Sequence, residues 1–524
     1  MQFNLADIFE SLADAFPDRL AVVSGDERST YAELDEAATR LAHHWQSLGI
    51  GRGDHVGLYL YNSRAYLEAM LAAWKLRAAT ININFRYVAD ELRYLVEAAH
   101  LKAILSEPEL RGHVDTIEAD RRDAGLPTLI RMETGADYAR ALAAASPTRD
   151  FGPRSQDDRF VLFTGGTTGM PQGVEWRHED LFFAALQGGQ PGGEPFERAE
   201  DMAPALASYG DGIHIHTAAP LIHGSSQLAC WIAMMNGGVA VIAPGPRFRP
   251  EVSLDLCARE KVHTFNLVGD AMAIPVVDAL EANPDRWDLS ELSVLSSAGA
   301  VLSAHVRRRL EELLPNTMVL NNFGASETGH QGSAFYEGDR PIWVMDERHT
   351  TVLNDDLLPI TPGSGEVGRI ARFGHIPLGY YNNPEKTART FPSRDGIRYV
   401  VPGDMATVAA DGTIVFLGRG SVCINTGGEK VYAEEVEEAL KQHEAVYDAV
   451  VVGVPDPRWG ERVEAVVSLR EGRALDAAAL DAHCRSRLAG YKTPRRFHAV
   501  DAVARQPSGK PDYRWARETA SGAA

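Results

Sequence analysis

The sequence predicts an α/β fold with a large N-terminal domain of layered α/β sheets, a small β-rich subdomain and a small α+β C-terminal domain. Three patterns predict it. Helical and strand-like segments alternate from residue 31 to residue 299, short strands with Gly, Pro and Asp-Gly turns follow residue 360, and a helix and strand pattern resumes beyond residue 419. Such alternation is typical of largely parallel sheets covered by helices.

The N-terminal elements are predicted from hydrophobic spacing. Residues 31–48 repeat apolar side chains at helical spacing, and residues 54–62 (DHVGLYLYN) have the pattern of a buried strand. Residues 63–78 again favour a helix, and residues 78–85 (AATININF) a strand. Four further strands are predicted at residues 102–107, 237–244, 263–269 and 292–299.

The C-terminal third changes in character. Residues 359–374 and 399–420 hold the short strands of the β-rich subdomain, and residues 433–456 read as a helix followed by a strand. A chain of 524 residues is too long for a single hydrophobic core. We therefore divide it into an N-terminal domain, residues 1–418, and a C-terminal domain, residues 419–524.

Composition excludes several classes of protein. The formal net charge of −20 argues against a nucleic-acid partner, because phosphate contacts need a basic surface. Cys230, Cys257, Cys423 and Cys484 form no CxxC pair, which favours a reducing cytoplasm and offers no zinc site. Residues 1–16 lack the features of a signal peptide, and no uninterrupted apolar run approaches the length of a membrane span. We expect a cytoplasmic protein with no membrane span. Assembly into a homodimer is left as an open alternative.

A glycine-rich segment, FTGGTTGMPQGV (163–174), follows the apolar residues Phe160, Val161 and Leu162. Glycines let successive backbone N–H groups point at one anion, and threonine hydroxyls add donors, so the segment suits phosphate. The alternative is a flexible surface hairpin. The segment is not a Walker A loop, because no Gly-Lys in the chain is followed by Ser or Thr.

Five further stretches follow in a fixed order: APLIHGSSQ (219–227), SSAGAVLS (296–303), NNFGASETG (321–329), PGD…GRG (402–420) and PSGKPDYR (507–514). Each alone is weak, whereas the ordered set is specific. From about residue 10 to about residue 515 the chain resembles the adenylate-forming superfamily of acyl-CoA synthetases, adenylation domains and luciferases. Residues 418–440 and 509–518 are most similar to CoA ligases acting on bulky acyl groups such as sterol side chains.

The resemblance implies a site for ATP. The residues matched to nucleotide binding are Thr164, Gly165, Gly166, Thr167, Thr168, Gly169, Gln172, Gly299, Ala300, Asn322, Phe323, Gly324, Ala325, Ser326, Asp404 and Arg419. Phe323 stands where the family has a tyrosine stacked on adenine, and it keeps the stacking face. A carboxylate such as Asp404 suits the two ribose hydroxyls. Outside this motif order, Phe323 would be an ordinary core aromatic and Asp404 a turn residue.

The resemblance also implies the chemistry. Glu327 and Thr167 match the Mg²⁺ site, since this cation prefers oxygen ligands and bridges phosphates. His223 matches a residue at the mouth of the acyl pocket, and Lys510 the cation that the small domain brings to the acyl carboxylate and α-phosphate. A carboxylate would attack the α-phosphate of ATP to give acyl-AMP and pyrophosphate. The small domain would then rotate, and the thiol of CoA would attack the acyl carbonyl.

The remaining expected residues belong to the sites for the acid substrate and for CoA. The substrate pocket is assigned to Gly224, Ser225, Gly269 and Ala298, and the CoA channel to Gly427 and Gly428. The expected partners are a small carboxylic acid or another small oxyanion, and CoA.

The glycine-rich segment departs from the family pattern in two places. Gly165 replaces the usual serine, and Gln172 replaces the usual lysine, so the charge of that lysine is missing. Ser421 stands at the hinge where Asp or Lys is common, and Ala433 stands where proline is common. For the glycine-rich segment we expect nucleotide binding to be retained with a modest loss. The changes at Ser421 and Ala433 leave adenylation as the firmer half of the expected reaction.

The segment SYGDGIHIHT (208–217) lies outside these motifs. His214 and His216 alternate along a predicted strand, so both rings point to one side, and Asp211 lies close by. A metal or a polar substrate is one interpretation. We expect a solvent-facing strand edge.

The leading functional hypothesis is an AMP-forming acyl-CoA synthetase for a medium, bulky or aromatic acid. The alternative keeps the adenylate chemistry with a non-CoA acceptor, as in ATP-dependent diazotases that activate nitrite for an aryl amine. A third, non-catalytic nucleotide-binding scaffold is disfavoured, because Lys510, Glu327 and Asp404 are all present.

Overall fold

The computed structural model of the chain describes residues 1–166, 169–208, 210–300, 302–338, 340–419, 422–426, 429–456, 459–488, 490–506 and 510–522. Numbered in chain order, its α-helices are α1 (Leu5–Ala15), α2 (Tyr31–Ser47), α3 (Arg64–Lys75), α4 (Ala89–Ala98), α5 (Arg111–Asp123), α6 (Ala136–Ala144), α7 (His178–Ala184), α8 (Met202–Ala207), α9 (Gly224–Met235), α10 (Pro250–Arg259), α11 (Gly269–Ala282), α12 (Ala304–Leu313), α13 (Pro384–Thr390), α14 (Ala433–Lys441), α15 (Ala477–Arg485) and α16 (Tyr513–Ala520).

The strands are numbered in the same way. They are β1 (Leu20–Ser24), β2 (Glu27–Thr30), β3 (His55–Tyr59), β4 (Ala79–Asn82), β5 (Leu101–Ser106), β6 (Ile130–Glu133), β7 (Arg159–Gly166), β8 (Gly169–Arg177), β9 (His214–Thr217), β10 (Val239–Ile242), β11 (Thr264–Leu267), β12 (Val294–Ala298), β13 (Met318–Ala325), β14 (Gly329–Glu337), β15 (Arg340–Met345), β16 (Thr350–Leu353), β17 (Gly368–Phe373), β18 (Gly379–Tyr380), β19 (Ser393–Arg394), β20 (Ile397–Val400), β21 (Asp404–Val408), β22 (Ile414–Arg419), β23 (Cys423–Thr426), β24 (Glu429–Tyr432), β25 (Val446–Asp456), β26 (Gly460–Leu469) and β27 (Arg496–Val500).

Two mainly parallel sheets form the body of the molecule. The nine-stranded sheet has the order β15-β14-β13-β12-β11-β9-β10-β1-β2, and its six strands from β13 to β1 run parallel. The four-stranded sheet β4-β3-β5-β6 is parallel throughout. The predicted α/β architecture is confirmed.

Local sequence explains why individual elements form where they do. Helix α2 begins after Thr30, whose hydroxyl accepts the Glu33 N–H while the Glu33 carboxylate accepts the Thr30 N–H, a reciprocal cap. Its apolar face is buried, including Tyr31, Leu41 and Trp45. Strand β3 is buried along its whole length, as its near-continuous apolar run predicts.

Smaller sheets complete the fold, and the last of them belongs to the C-terminal unit. Strands β16, β17 and β19 to β22 form the sheet predicted from the turn-rich sequence after residue 360. A three-stranded sheet, β18-β8-β7, carries the glycine-rich segment. Beyond residue 422, strands β23 to β27 form a five-stranded sheet packed with α14, α15 and α16, which confirms the α+β character predicted for the C-terminal domain.

The C-terminal unit contacts the body through specific polar groups. Lys441 Nζ of α14 lies 3.4 Å from Asp270 Oδ2 of α11. The Ala304 N–H donates to Glu438 Oε1 at 3.0 Å.

Among the helices of the described residues, none has the length and apolar character needed to cross a membrane.

Candidate active site

A cavity of about 380 Å³ opens at the carboxyl ends of β11, β12 and β13. Val268 follows β11, Ala298 ends β12, and Asn322 and Phe323 lie near the end of β13, and all four line the cavity. This is where ligands bind in open α/β sheets, because the carboxyl ends of parallel strands meet there.

The structure brings many of the sequence-predicted residues to this cavity. Its wall includes Thr164, His223, Gly224, Ser225, Ala298, Gly299, Asn322, Phe323, Gly324, Ala325, Ser326 and Lys510. Among the residues whose side chains the structure describes, Gln172, Gly269, Ala300, Glu327 and Asp404 are not part of the lining. Gly165 and Gly166 end β7, Gly169 begins β8, and Arg419 ends β22. Thr167, Thr168, Ser421, Gly427 and Gly428 lie outside the described residues.

The glycine-rich segment is the turn region between two paired strands. Strands β7 and β8 are antiparallel, with Thr164 opposite Gln172 and Gly166 opposite Gly169. Asn82, at the end of β4, fixes this strand pair: its Nδ2 donates to the Phe163 carbonyl at 2.7 Å, and its Oδ1 accepts the Phe163 N–H at 2.8 Å. The segment is therefore joined to the core immediately before Thr164.

The segment from Asn321 to Gly329 is held in shape by short contacts. The Thr328 hydroxyl accepts the Ala325 N–H at 2.9 Å, which closes the turn after β13. The Ser326 carbonyl accepts the Trp176 Nε1–H of β8 at 2.9 Å. A Cβ on Gly324 would lie 2.1 Å from the Gly329 carbonyl oxygen, so this position needs glycine.

Phe323 has a defined aromatic environment. Its ring centroid lies 5.8 Å from that of Trp343 and 5.4 Å from that of Phe416. Phe416 belongs to β22, which pairs with β21 so that Asp404 stands opposite Arg419. The Asp404 side chain is only 4% exposed. The predicted adenine and ribose residues thus belong to adjoining elements.

Glu327 is oriented by a residue from a distant part of the chain. The Tyr380 hydroxyl donates to Glu327 Oε1 at 2.7 Å. A carboxylate such as Glu327 fits Mg²⁺, which binds proteins through one or two carboxylates and takes its other ligands from phosphates and water. The donor chemistry around Glu327 therefore suits a magnesium nucleotide.

Apolar side chains form a large part of the cavity lining. His223 precedes α9, and its neighbours Gly224 and Ser225 begin that helix. The further lining includes Leu95, Leu162, Phe163, Ile222, Leu228, Ala229, Ile232 and Val268. Gly269 is buried at the start of α11, where its N–H donates to Ser297 Oγ at 2.9 Å, and the Ala300 carbonyl accepts the same hydroxyl at 3.1 Å.

Lys510 reaches the same cavity from the C-terminal unit. Its carbonyl accepts the Gln506 N–H at 2.8 Å, and both residues line the wall. A lysine of one unit thus lines the same cavity as Thr164, His223 and Phe323 of the other.

The family model described as AMP-binding enzyme matches residues 9–370, most of the chain. The chain belongs to the family of AMP-binding enzymes. A second model, described as AMP-binding enzyme C-terminal domain, matches residues 435–510 and ends at Lys510.

Relatives of this AMP-binding enzyme match over nearly full length. A "Medium/long-chain-fatty-acid--CoA/3-oxocholest-4-en-26-oate--CoA ligase" of Mycolicibacterium smegmatis is 44% identical, covering 99% of this chain and 96% of the relative. A "3-oxocholest-4-en-26-oate--CoA ligase" of Rhodococcus rhodochrous is also 44% identical, with the same coverage.

Solved structures agree on the fold. ATP-bound MatB from Rhodopseudomonas palustris aligns with a TM-score of 0.82 at 26% identity, covering 99% of each chain. The anthranilate CoA ligase AuaEII, in complex with anthranoyl-AMP, aligns with a TM-score of 0.83 at 21% identity, covering 99% of this chain and 98% of its own.

The expectation for the histidine pair of this AMP-binding enzyme is wrong. Strand β9 lies between β10 and β11 inside the nine-stranded sheet rather than at a solvent-facing edge. His216 is fully buried, its Nδ1–H donates to the Val241 carbonyl at 2.9 Å, and burial lowers its pKa to about 4. Within the described ranges, no group of three or more His, Cys, Asp or Glu side chains could hold a metal, and Asp211 is exposed.

Several residues of the site were not predicted from the sequence. Asn82 holds the glycine-rich segment at Phe163, and Tyr380 orients Glu327. His330 lines the cavity, and burial, with the nearby Arg372 guanidinium, lowers its pKa to about 4. A polar residue that ends a buried strand, as Asn82 does in AATININF, was the available indication in the sequence.

Proposed function

We propose that this chain is an ATP-dependent, AMP-forming acyl-CoA ligase for medium-chain, long-chain or steroid carboxylic acids. Family membership and relatives that are CoA ligases, 44% identical over nearly the whole chain, support the activity. One structural observation carries the proposal: Lys510 of the C-terminal unit lines the same cavity as Thr164, His223 and the segment from Asn322 to Ser326.

The first step joins the acid to the nucleotide. A carboxylate oxygen attacks the α-phosphorus of ATP, a new P–O bond forms, and pyrophosphate leaves as the α,β-bridging P–O bond breaks. Lys510 is suited to neutralising charge that develops on the α-phosphate and the attacking carboxylate. Bound Mg²⁺, held by Glu327 and Thr167, would neutralise phosphate charge.

The cavity wall supports roles for the other residues. Phe323 offers a stacking face for adenine, and Asp404 a carboxylate for the ribose hydroxyls. Gly299 has φ +84°, a left-handed conformation that lets backbone approach the purine closely. His223, which directly precedes α9, lines the same cavity as the apolar side chains and the segment from Asn322 to Ser326.

The second step transfers the acyl group. The CoA sulfur attacks the acyl carbonyl, the thiol proton is released, and AMP leaves with the electrons of the C–O bond. We place the domain boundary at residues 418 and 419, rotation of the C-terminal unit between the steps, and pantetheine near Gly427 and Gly428. Four free cysteines support a reducing, cytoplasmic compartment.

The apolar lining supports the substrate class. Leu162, Leu228, Ile232 and Val268 present hydrocarbon to the acyl side, which favours an extended aliphatic or steroid group over a small polar acid. The relatives named as CoA ligases leave the diazotase alternative unfavoured.

The test supplies ATP, Mg²⁺ and CoA with medium-chain, long-chain and steroid side-chain acids, and measures AMP, pyrophosphate and thioester. We expect AMP and thioester in equal amounts. Lys510→Ala should lower the first step about a hundredfold, the scale of losing one transition-state contact. Turnover that ignores CoA and requires nitrite with an aryl amine would overturn the proposal.

A further inference from the structure

The glycine-rich segment lacks a cation, because Gln172 stands where the resemblance expects lysine. The Gln172 side chain is also engaged elsewhere: its Oε1 accepts the Asn383 Nδ2–H at 2.8 Å, and its Nε2 lies 3.4 Å from the Tyr94 hydroxyl. These contacts tie the segment to Asn383, the residue that caps α13. Gln172 therefore connects two elements and brings no charge to a phosphate.

A cation stands on the helix that Gln172 contacts. Lys386 lies in the first turn of α13, three residues after Asn383, and its N–H donates to Asn383 Oδ1 at 3.0 Å. Its Nζ lies 3.9 Å from the centroid of the Tyr380 ring. The hydroxyl of that same ring donates to Glu327 Oε1 at 2.7 Å.

The charge of Lys386 is not neutralised by a carboxylate in close contact. Across the residues that the structure describes, no Asp or Glu oxygen lies within 4.0 Å of its Nζ. Burial lowers the pKa of Lys386, while the negative charge of Glu327 raises it. A half-buried ammonium without an ion pair gains from an anionic ligand, because desolvated charges need a counter-charge.

We propose that Lys386 binds the β- or γ-phosphate of ATP and supplies the positive charge that Gln172 does not. The inference rests on the ATP-dependent function proposed above. Tyr380 serves both charges, since its ring packs against the ammonium and its hydroxyl orients Glu327. A lysine from α13 thus takes the electrostatic role of a lysine in the glycine-rich segment.

The test measures nucleotide binding by calorimetry, with α,β-methylene-ATP and with AMP, in the presence of Mg²⁺. Lys386→Met should weaken binding of the ATP analogue about tenfold, the effect of one charge-assisted contact, and leave AMP binding within about twofold. Arg389→Met changes an exposed cation on the same helix and should alter neither affinity. Lys386→Arg should retain most of the affinity.

A double variant separates loss of charge from loss of structure. Adding Gln172→Lys to Lys386→Met should restore at least half of the lost affinity for the ATP analogue, because a cation returns to the phosphate region. If Lys386→Met weakened the binding of both nucleotides equally, or left binding of the ATP analogue unchanged, the inference would be overturned and the proposed function would stand. If the unmodified enzyme bound neither nucleotide, the proposed function would fall, and the inference with it.

Discussion

Asn82 is a buried amide that joins three parts of the cavity wall. Its Nδ2 donates to the carbonyls of Phe163 and Ile222, both at 2.7 Å, and its Oδ1 accepts the Phe163 N–H at 2.8 Å. Asn82→Ala would leave these backbone groups buried without their partner. We expect the free energy of unfolding, measured in urea, to fall by about 3 kcal/mol.

Asn283 provides a matched control for this prediction. It is half-buried after α11, and its Nδ2 makes one bond, to the Ala279 carbonyl at 3.0 Å. Asn283→Ala should cost less than about 1 kcal/mol. Similar losses in the two variants would contradict the positioning role of Asn82.

At the scale of residues, the sequence predicts groups whose chemistry is visible in a short motif. Glu327 and Lys510 are examples. Asn82 and Tyr380 are different, because their partners lie far along the chain: Ile222 is 140 residues from Asn82, and Glu327 is 53 residues from Tyr380. Such contacts depend on the packing of whole elements, which no local pattern specifies.

The hairpin formed by β13 and β14 has no room for a side chain at Gly324. A Cβ on Gly324 would meet the Gly329 carbonyl oxygen at 2.1 Å, and backbone cannot move aside as a side chain can. Gly324→Ala should therefore displace the hairpin at a cost of about 1–3 kcal/mol. Because Gly324 lines the cavity, we expect calorimetry to show weaker AMP binding as well.

Gly51 is the control for this substitution. A Cβ there would have no neighbour within 4 Å, and the backbone does not have the positive φ that disfavours alanine. Gly51→Ala should leave both unfolding and AMP binding unchanged. Unaltered AMP binding in Gly324→Ala would show that the hairpin does not shape the nucleotide site.

At the scale of elements, hydrophobic spacing predicts which segments are helices and strands but not their places in a sheet. Residues 214–217 form a strand as alternation predicts, yet β9 lies between β10 and β11. Its partners on either side come from residues 239–242 and 264–267. Sheet order is set by these long-range pairings, so the expected strand edge was wrong.

For the whole molecule, we expect the free energy of unfolding to depend on pH, because a carboxyl group is buried in the C-terminal unit. Glu437 is 5% exposed, and its Oε1 accepts the Val451 N–H at 2.9 Å. Burial raises its pKa from 4.5 to about 7, although Lys441 opposes the shift. Between these two values the folded state holds a proton that the unfolded state has released, so this contribution to stability is lost as pH rises.

Glu437→Gln removes this titration and keeps an oxygen for the Val451 N–H. The unmodified protein loses this contribution between about pH 5 and about pH 8, and the variant does not. The free energy of unfolding of the variant minus that of the unmodified protein should therefore rise by up to about 3 kcal/mol over this range. Urea unfolding at the two pH values measures the difference. The same difference between the proteins at both values would contradict a raised pKa for Glu437.

A charged contact links the C-terminal unit to the body. Lys441 Nζ lies 3.4 Å from Asp270 Oδ2 of the body and 3.5 Å from Asp448 Oδ1 of its own unit. All three residues are buried, so the charges interact more strongly than at the surface. This contact joins the units in the arrangement in which Lys510 lines the cavity.

Lys441→Met should therefore affect the two half-reactions unequally. If acyl-AMP forms in the observed arrangement, as we propose, ATP–pyrophosphate exchange should fall about tenfold on loss of this buried charge pair. The rotation proposed for the second step takes the unit out of this arrangement, so the rate of thioester formation from supplied acyl-AMP should fall less or rise. Lys492→Met, which breaks an ion pair with Glu435 inside the C-terminal unit, should change neither rate. Equal slowing of both half-reactions in Lys441→Met would mean that the contact stabilises the fold without selecting the arrangement for adenylation.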